Sequence, residues 1–285
     1  MIRQTGPGVQ IRRIEEEFRV GNPGYWVHPE WEALFPWLAQ GITGRSSGKG
    51  EGPLDFALFT DPPASRAQKS WEELGLHLRF RRVVHSRQVH GEKVSIHRGQ
   101  DLSPAGTPLA LGPDADGHLT TLEGILLGVT VADCVPAFLL DPGKRVVCLL
   151  HAGWRGTAAG ILEKGIGLMR DEFGSSPRNL LFHLGPAICG ECYEVGGEVH
   201  RALGFPDPGG PTPVDLRGHL ASRAVSQGVG EERVTLSGWC TLCGGSPFFS
   251  HRRGDSGRQV GFLGIRAPEK SPGQFFATPF STWST

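Results

Sequence analysis

The chain has 285 residues, of which 29 are basic and 29 acidic, so its formal net charge at pH 7 is zero. This balance argues against the basic patch with which nucleic-acid-binding proteins contact phosphates, so no nucleic-acid partner is expected. No segment approaches the roughly 18 uninterrupted apolar residues of a membrane span, and the first residues lack the apolar core of a secretory signal. We therefore expect a cytoplasmic protein without a membrane partner and, by default, a monomer.

The predicted elements begin after a polar, glycine-rich segment. Residues 1–24 are predicted to be an N-terminal extension outside the core, and residues 25–265 a single catalytic domain. Segments 46–52 and 97–117 have the composition of loops. Several runs are apolar throughout, which is typical of strands covered on both faces. Strands are predicted at 81–85, 92–97, 124–132, 136–141, 145–151, 179–184 and 260–265.

Two helices are predicted between these strands. Apolar residues at near-helical spacing predict one over 157–173, stopped by Gly174. Asp215 is a suitable N-cap for the other, which is predicted to close at Gly228. The mixture predicts an α+β (mixed α/β) fold, with mixed β-sheets packed between helices in one layered domain. Residues 266–285 have neither a helical nor a strand period and are predicted to be a C-terminal tail.

Three residues of metal-binding type fall at the ends of predicted strands. They are His90, Cys134 and His151. Strand ends in layered folds face the crevices in which ligands bind, so three such ends can converge. Two imidazoles and a thiolate on zinc leave a fourth position for an acidified water, which is typical of a catalytic site. The alternative is that Cys134 is a small buried apolar residue.

Copper is the alternative metal for this donor set. Two imidazoles and a thiolate also suit type-1 copper, so copper could replace zinc. However, Met1 and Met169 are the only methionines, and no two histidines are two residues apart. This supply of ligands argues against full multicopper oxidase chemistry.

The cysteines include two CxxC pairs. Six cysteines are too few for a disulfide scaffold in a chain of this length, so we expect thiols or metal ligands. Cys189 with Cys192, and Cys240 with Cys243, have the spacing of a structural four-cysteine zinc site. Neither pair has the clear context of a zinc knuckle, so the sequence leaves open whether this set binds metal.

The segment HAGWRG (151–156) predicts a turn that opens a helix. Backbone N–H groups and Arg155 could bind a phosphate there, although a surface arginine on an ordinary turn is the alternative. Arg252 and Arg45 are further candidates for contact with an anion, or alternatively solvated charges. No G-x-G-x-x-G or P-loop pattern occurs, so no nicotinamide or ATP site is indicated.

Taken together, these segments resemble the laccase-domain family, formerly called multicopper polyphenol oxidases and now regarded as purine nucleoside phosphorylases. The matching motifs occur in the family's order over roughly 25–265. They are QVHG (88–91), DGHLTT (116–121), ADCVP (132–136), HAGWRG (151–156), GPAI with CYEVG (185–196), the DL helix at 215, and CT with FFSHRR and GR (240–258). The resemblance implies a single domain with mixed sheets between helices, and it places the family's zinc ligands on His90, Cys134 and His151.

The resemblance also implies an activity. It implies phosphorolysis of adenosine, inosine, guanosine and methylthioadenosine, with nucleoside and phosphate as small-molecule partners and adenosine deamination as a side activity. The catalytic assignments are Arg155 for phosphate, and Asp133 and Gln88 for orientation of the metal site. The substrate-binding assignments are Arg45, Arg155, Arg252 and His251.

The chain departs from the family pattern near the presumed substrate pocket. His251 stands where relatives usually have Tyr, and Cys189 where they usually have Gly. Gln68 and Lys69 stand where relatives have an Asn-Arg pair. These departures bear on substrate preference more than on metal binding.

Two other classes of function remain open from the sequence. One is a second enzyme, either an amidase that edits peptidoglycan precursors with the same metal or a copper polyphenol oxidase. The other is a metal-stabilised interaction protein, in which a fourth protein donor such as Cys148 or His118 would close the site. The need for phosphate distinguishes the phosphorylase from the amidase, because phosphorolysis consumes phosphate and hydrolysis does not.

Overall fold

The computed structural model describes residues 11–46, 54–60, 66–99 and 108–268. Most of the predicted loop 46–52, part of the connection 97–117, and nearly all of the predicted C-terminal tail lie outside the described residues. None of the described helices is long and apolar enough to span a membrane.

The described residues form sixteen strands and six α-helices. The strands are β1 Arg12–Ile14, β2 Glu17–Arg19, β3 Tyr25–Val27, β4 Leu38–Thr43, β5 Arg82–Ser86, β6 Val94–His97, β7 Leu109–Gly112, β8 Gly117–Thr120, β9 Ile125–Val131, β10 Val135–Asp141, β11 Val146–Ala152, β12 Leu181–Leu184, β13 Glu194–Val195, β14 Thr212–Pro213, β15 Val234–Ser237 and β16 Gln259–Ile265. The helices are α1 Pro29–Leu34, α2 Ala67–His77, α3 Trp154–Ala159, α4 Ile161–Phe173, α5 Gly197–Ala202 and α6 Leu216–Ser226.

Two seven-stranded mixed sheets build the domain. The first sheet has the order β1-β15-β12-β10-β11-β8-β6, and the second has the order β2-β3-β4-β16-β9-β5-β7. Among the pairs of named strands, the parallel ones are β1 with β15, β12 with β15 and β6 with β8 in the first sheet, and β5 with its neighbours β7 and β9 in the second. Each strand predicted from an apolar run is present, with ends that differ by at most a few residues.

The sheets pack face to face between two helical layers. Phe138 and Leu149 of the first sheet share one buried cluster with Val129 and Leu263 of the second. On the outer face of the first sheet, α4 and α6 pack into another cluster, and on the outer face of the second sheet α2 buries Trp71. Central strands such as β10 are therefore buried on both faces, which explains their unbroken apolar runs. The predicted α+β fold with mixed sheets between helices is confirmed.

The predicted helix over 157–173 is two helices. Gly160 adopts a left-handed conformation with φ of 96°, which ends α3 before α4 begins. Periodicity alone could not show this break, because the apolar residues continue at helical spacing across it. Two of the predicted caps are observed: Gly174, with φ of 64°, caps α4, and Asp215 caps α6 by accepting a hydrogen bond from the Gly218 N–H at 3.0 Å.

The predicted N-terminal extension enters the core from Arg12 onward, which differs from the expectation for residues 1–24. Strand β1 pairs with β15 in the first sheet, and β2 pairs with β3 in the second. Between them, the buried Glu16 carboxylate accepts hydrogen bonds from His183 Nε2 at 3.1 Å and Ser237 Oγ at 2.9 Å. Three-residue strands are too short to show a period of two, so the sequence gives no sign of them.

Candidate metal centre

The fold brings the three predicted metal ligands together. One ligand atom each from His90, Cys134 and His151 lies within 4.8 Å of the other two. His90 lies in the loop after β5, Cys134 in the turn between β9 and β10, and His151 in β11. In the β10–β11 pair, Val135 lies opposite Ala152, so the sheet register places Cys134 beside the end of β11.

The backbone at this centre is held in an unusual conformation. His90 has φ of 60° and Asp133, next to Cys134, has φ of 85°. Residues other than glycine rarely occupy this region. Each one costs about 1–3 kcal/mol and persists only where its surroundings hold the backbone in place. Strain at both loops therefore requires specific hydrogen bonds to hold them.

Asp116 supplies those bonds for the His90 loop. Its buried carboxylate accepts backbone hydrogen bonds from Val89 at 3.1 Å, His90 at 2.9 Å and Gly91 at 2.8 Å. The same carboxylate accepts a hydrogen bond from His151 Nδ1 at 2.8 Å. One side chain thus positions two of the three ligands.

The hydrogen bond to Asp116 also determines which ring nitrogen of His151 carries a proton. Burial acts to raise the pKa of Asp116, but hydrogen bonds from His151 and the Gly91 N–H outweigh it and lower that pKa. An ionised carboxylate can only accept, so Nδ1 of His151 carries a proton and Nε2 is the nitrogen left for a metal. A carboxylate behind a ligating histidine is a common way to set the orientation of the imidazole.

The environment also favours the thiolate form of Cys134. Burial acts to raise the pKa of the thiol, but the charge of His151 and hydrogen bonds with His151 and His90 lower it to about 6. In the same pair, burial acts to lower the pKa of His151, but the Cys134 charge and the Asp116 hydrogen bond raise it to about 9. The thiolate is the form that ligates metals, and a metal on Nε2 of His151 needs the neutral imidazole, so binding of a cation here would release the second proton of His151.

The glycines of HAGWRG leave space for this centre. A Cβ atom on Gly153 would lie 2.9 Å from Cys134 Sγ and 3.3 Å from His90 Cδ2, and one on Gly156 would lie 2.8 Å from the carbonyl oxygen of Gly91. The start of α3 can therefore approach the ligands only without side chains at these positions. His90 is exposed, so the group opens to solvent on its side. The donor set and this space fit a resident metal ion with an open coordination position.

Two residues predicted to be catalytic form hydrogen bonds that hold the loops around the centre. Asp133 accepts hydrogen bonds from Thr241 Oγ1 at 2.6 Å and from the Arg252 backbone N–H at 2.7 Å. Gln88 pairs with the backbone of Thr130, donating from Nε2 to the carbonyl at 2.8 Å and accepting the N–H at 2.7 Å. Each side chain therefore joins a loop that carries a ligand to a neighbouring segment.

Tyr193 packs against Arg252, whose backbone N–H is bonded to Asp133 next to Cys134, although the sequence did not single this tyrosine out. Burial and the Cys134 charge raise its pKa to about 12, while the charges of Arg252 and Arg155 act to lower it. The Arg252 guanidinium lies 5.5 Å from the centre of the tyrosine ring and donates to the Glu194 carbonyl at 2.9 Å. The available signal was the CYEVG motif, which contains one of the two tyrosines of the chain.

Arg155 is exposed in the first turn of α3. Its guanidinium lies 4.3 Å from the centre of the Trp154 ring. Helix α3 begins at Trp154, three residues earlier than predicted, so Arg155 lies within it, close after the ligand His151. The positive charge of Arg155 acts to lower the pKa of Tyr193.

Arg45 and His251 belong to two further segments of the chain. The Arg45 side chain donates to the Ser246 carbonyl at 2.6 Å, and its backbone N–H donates to the Pro247 carbonyl at 2.8 Å. His251 is exposed in the turn that follows. Among the described residues, no hydrogen bond connects either side chain to the three ligands, so their substrate role stays a prediction.

The fourth donors considered from the sequence belong to other environments. Cys148 is buried in the helix-side core of the first sheet. His118 Nδ1 forms a hydrogen bond with His97 Nε2 at 2.9 Å. Neither is part of the three-ligand group.

Comparison with known proteins gives the family. The model for the family described as "Multi-copper polyphenol oxidoreductase laccase" matches residues 40–266. The chain belongs to this family. The predicted resemblance to the laccase-domain family is therefore confirmed.

Relatives of this laccase-domain chain have names that refer to nucleosides. It is 31% identical over 252 residues to purine nucleoside phosphorylase YlmD of Geobacillus stearothermophilus, covering 81% of this chain and 92% of that protein. It is 32% identical over 186 residues to adenosine deaminase RL5 of an unknown prokaryotic organism, covering 60% and 70%. The crystal structure of YlmD from G. stearothermophilus matches with a TM-score of 0.75 and 29% identity, over 88% of this chain and 100% of that one.

Proposed function

We propose that the chain is a zinc-dependent purine nucleoside phosphorylase that acts on adenosine, inosine, guanosine and methylthioadenosine. The observation that carries this proposal is the convergence of His90, Cys134 and His151 on a point open to solvent. The names of the relatives supply the substrate class, and phosphate is the co-substrate that phosphorolysis needs.

Zinc is the proposed resident ion at the three-ligand centre. Two imidazoles and a thiolate suit zinc, and when bound it would supply a Lewis acid and acidify a coordinated water. The same donors suit copper, which the family description mentions, so the metal content of the purified protein decides between them. Asp116 keeps the His151 proton on Nδ1, and Gly153 keeps the space beside Cys134 free.

The residues around the metal have proposed roles in binding and orientation. In phosphorolysis, a phosphate oxygen bonds to C1′ of the sugar while the bond from C1′ to the purine breaks, and its electron pair leaves with the base. Arg155 is proposed to bind the phosphate, because a guanidinium can donate two parallel hydrogen bonds to it. Tyr193 keeps its proton at neutral pH and is proposed to donate a hydrogen bond to the nucleoside. Arg252, held beside Tyr193, is proposed to contact the same substrate.

Asp133 and Gln88 are proposed to position these groups. Asp133 holds the backbone of Arg252 and the side chain of Thr241, while Gln88 holds the His90 loop against β9. Arg45 fixes the loop that leads to His251, and both are proposed to line the outer part of the substrate site.

The direct test is an assay of purified protein with inosine and inorganic phosphate. Release of hypoxanthine and ribose 1-phosphate that requires phosphate supports the proposal. Release of hypoxanthine without phosphate would instead mean hydrolysis and would contradict phosphorolysis. Protein stripped of metal should lose the activity and regain it with Zn²⁺.

Adenosine deamination is a second candidate activity at the same centre. It is favoured by the relative named adenosine deaminase and by the open side of the metal group, where an acidified water could be used. Formation of ammonia and inosine from adenosine in the absence of phosphate tests it separately from base release.

A further inference from the structure

A second group of sulfur ligands lies outside the three-ligand centre. The Sγ atoms of Cys189, Cys192, Cys240 and Cys243 all lie within 4.8 Å of one another, and all four are free thiols. We call this group the four-cysteine cluster. A tetrahedral zinc site with Zn–S bonds of about 2.3 Å has S···S edges of about 3.8 Å. The sulfurs therefore lie within about 1 Å of the arrangement that such an ion requires.

The backbone joins the two CxxC segments at this cluster. Ala187 and Cys240 form an isolated parallel β-bridge, and the Thr241 N–H donates to the Ala187 carbonyl at 3.2 Å. In the first segment, the N–H groups of Cys192 and Tyr193 donate to the Cys189 carbonyl at 3.1 Å and 3.0 Å. Two tight turns are thus held together with their thiols on one side.

Backbone N–H groups also point at a sulfur of the cluster. Cys240 Sγ accepts hydrogen bonds from the N–H of Cys189 at 3.3 Å and of Leu242 at 3.4 Å, and a further one from the backbone of Cys243. The chain then turns through Gly244 and Gly245, with φ of 72° and 67°. N–H donors directed at a cysteine sulfur stabilise its negative charge and orient it as a ligand. This arrangement supplies the metal-knuckle context that the sequence pattern lacked.

A buried positive charge lies next to the cluster. Arg217 is 3% exposed, and its Nη1 donates to the carbonyls of Ser237 at 2.9 Å and Trp239 at 2.8 Å, immediately before Cys240. Four thiolates around a divalent cation carry a net charge of −2. A guanidinium at this position both offsets that charge and holds the segment that presents Cys240.

We propose that the four-cysteine cluster binds one Zn²⁺ ion through four thiolates, as a closed site separate from the three-ligand centre. Four protein ligands fill the coordination of zinc, so this ion has a structural role and no open position. The segments that it joins also support the other centre. The Ile188 N–H donates to the Asp133 carbonyl at 3.1 Å, and Thr241 donates to the Asp133 carboxylate at 2.6 Å.

The test uses the full chain and separates the two metal sites. His90→Ala removes a ligand of the three-ligand centre only, so this protein should retain one equivalent of zinc by elemental analysis. X-ray absorption at the zinc edge should then give four sulfur neighbours at about 2.3 Å. Adding Cys192→Ser and Cys243→Ser should abolish this remaining zinc, whereas adding Cys148→Ala, which removes a buried core cysteine, should leave it bound.

Several results would overturn the proposal. The first is His90→Ala protein that is folded but holds no zinc. The second is zinc with fewer than four sulfur neighbours, and the third is iron in place of zinc. Two CxxC disulfides in protein purified under reducing conditions would also do so. If the double serine variant does not fold, the absorption spectrum of His90→Ala protein still decides, because it requires no change to the cluster. The outcome is independent of the nucleoside assay, so the two proposals can fail separately.

Discussion

The three-ligand centre and the four-cysteine cluster lie on either side of Asp133 and are built differently. The three-ligand centre collects side chains from three distant segments, relies on the single carboxylate of Asp116, and opens to solvent at His90. The four-cysteine cluster collects side chains from two tight turns, is held by backbone N–H groups, and has a ligand for every position of a tetrahedral ion. The difference fits the catalytic role proposed for the first site and the structural role proposed for the second.

Loss of the thiolate should have the largest effect and should separate the two sites most clearly. Cys134→Ala removes the only anionic ligand of the three-ligand centre, so zinc at that centre and phosphorolysis should both fall to background. Zinc in the four-cysteine cluster should remain. Elemental analysis together with the inosine assay checks this, with Cys148→Ala as the control that removes a cysteine from neither group. Full activity of Cys134→Ala would remove the centre from catalysis.

Gly153→Ala should be nearly as severe although it removes no ligand. Its Cβ would lie 2.9 Å from Cys134 Sγ, so the ligand pair must move apart and the affinity for zinc should drop by about 100-fold. Gly167→Ala in α4 is the control, because a Cβ there meets nothing within 4 Å and should stabilise the helix by about 0.5–1 kcal/mol. Zinc titration against a chelator gives the affinities, and an unchanged value for Gly153→Ala would contradict the argument from space.

Asp116→Asn should weaken zinc binding by about 10–100-fold. The amide keeps the shape of the carboxylate but loses its charge and can no longer accept from all four N–H donors that surround it. Asp114→Asn is the matched control, since Asp114 forms an exposed ion pair with Arg87 nearby. A chelator competition measures both variants. Equal affinities would show that Asp116 is not the residue that positions His90 and His151.

Glu16→Ala tests the support behind the strand that leads to the four-cysteine cluster. Ser237, at the end of β15, donates to Glu16, and loss of the carboxylate leaves its buried partners His183 and Ser237 unsatisfied. The free energy of unfolding should fall by about 3 kcal/mol. Glu15→Ala, on the exposed neighbour, should change it by less than about 0.5 kcal/mol. Denaturant unfolding measures both, and matching midpoints would place β1 and β2 outside the cooperative core.

Arg155→Ala should have the smallest effect and should leave both metal sites intact. Loss of a charge-assisted contact with phosphate should raise the KM for phosphate by about tenfold, with zinc content unchanged. Arg178→Ala replaces an exposed arginine elsewhere on the surface and should leave the KM unchanged. Steady-state kinetics at varied phosphate concentration gives the comparison, and a normal KM in Arg155→Ala would exclude Arg155 from phosphate binding.

Much of the fold could be predicted because its signals are local. The apolar runs of β9, β10 and β11 and the caps at Gly174 and Asp215 depend on neighbouring residues, and each is observed. The short strands β1 and β2 could not be predicted, because three residues carry too little pattern. The sequence also does not show that the predicted helix is divided at Gly160, because glycine is tolerated inside helices and only the backbone torsion angle shows the break.

The candidate site, like the fold, could be predicted from the sequence only in part. The two CxxC pairs are visible in the sequence as spacing, and the motifs around His90, Cys134 and His151 marked them as ligands through family resemblance. The positions of Asp116 and Tyr193 near these ligands were not visible in the sequence. Asp116, for example, reaches His151 across 35 residues of chain through the pairing of β8 with β11.

By itself, the sequence determined the class of fold, the family and the kinds of ligand available, since periodicity, caps and motifs act over a few residues. Only the tertiary structure decided which side chains meet. Sheet register places Cys134 beside the end of β11, and a β-bridge brings Cys240 to the segment of Cys189. These contacts depend on the alignment of strands far apart in the chain, and a shift of one residue would turn each side chain to the opposite face.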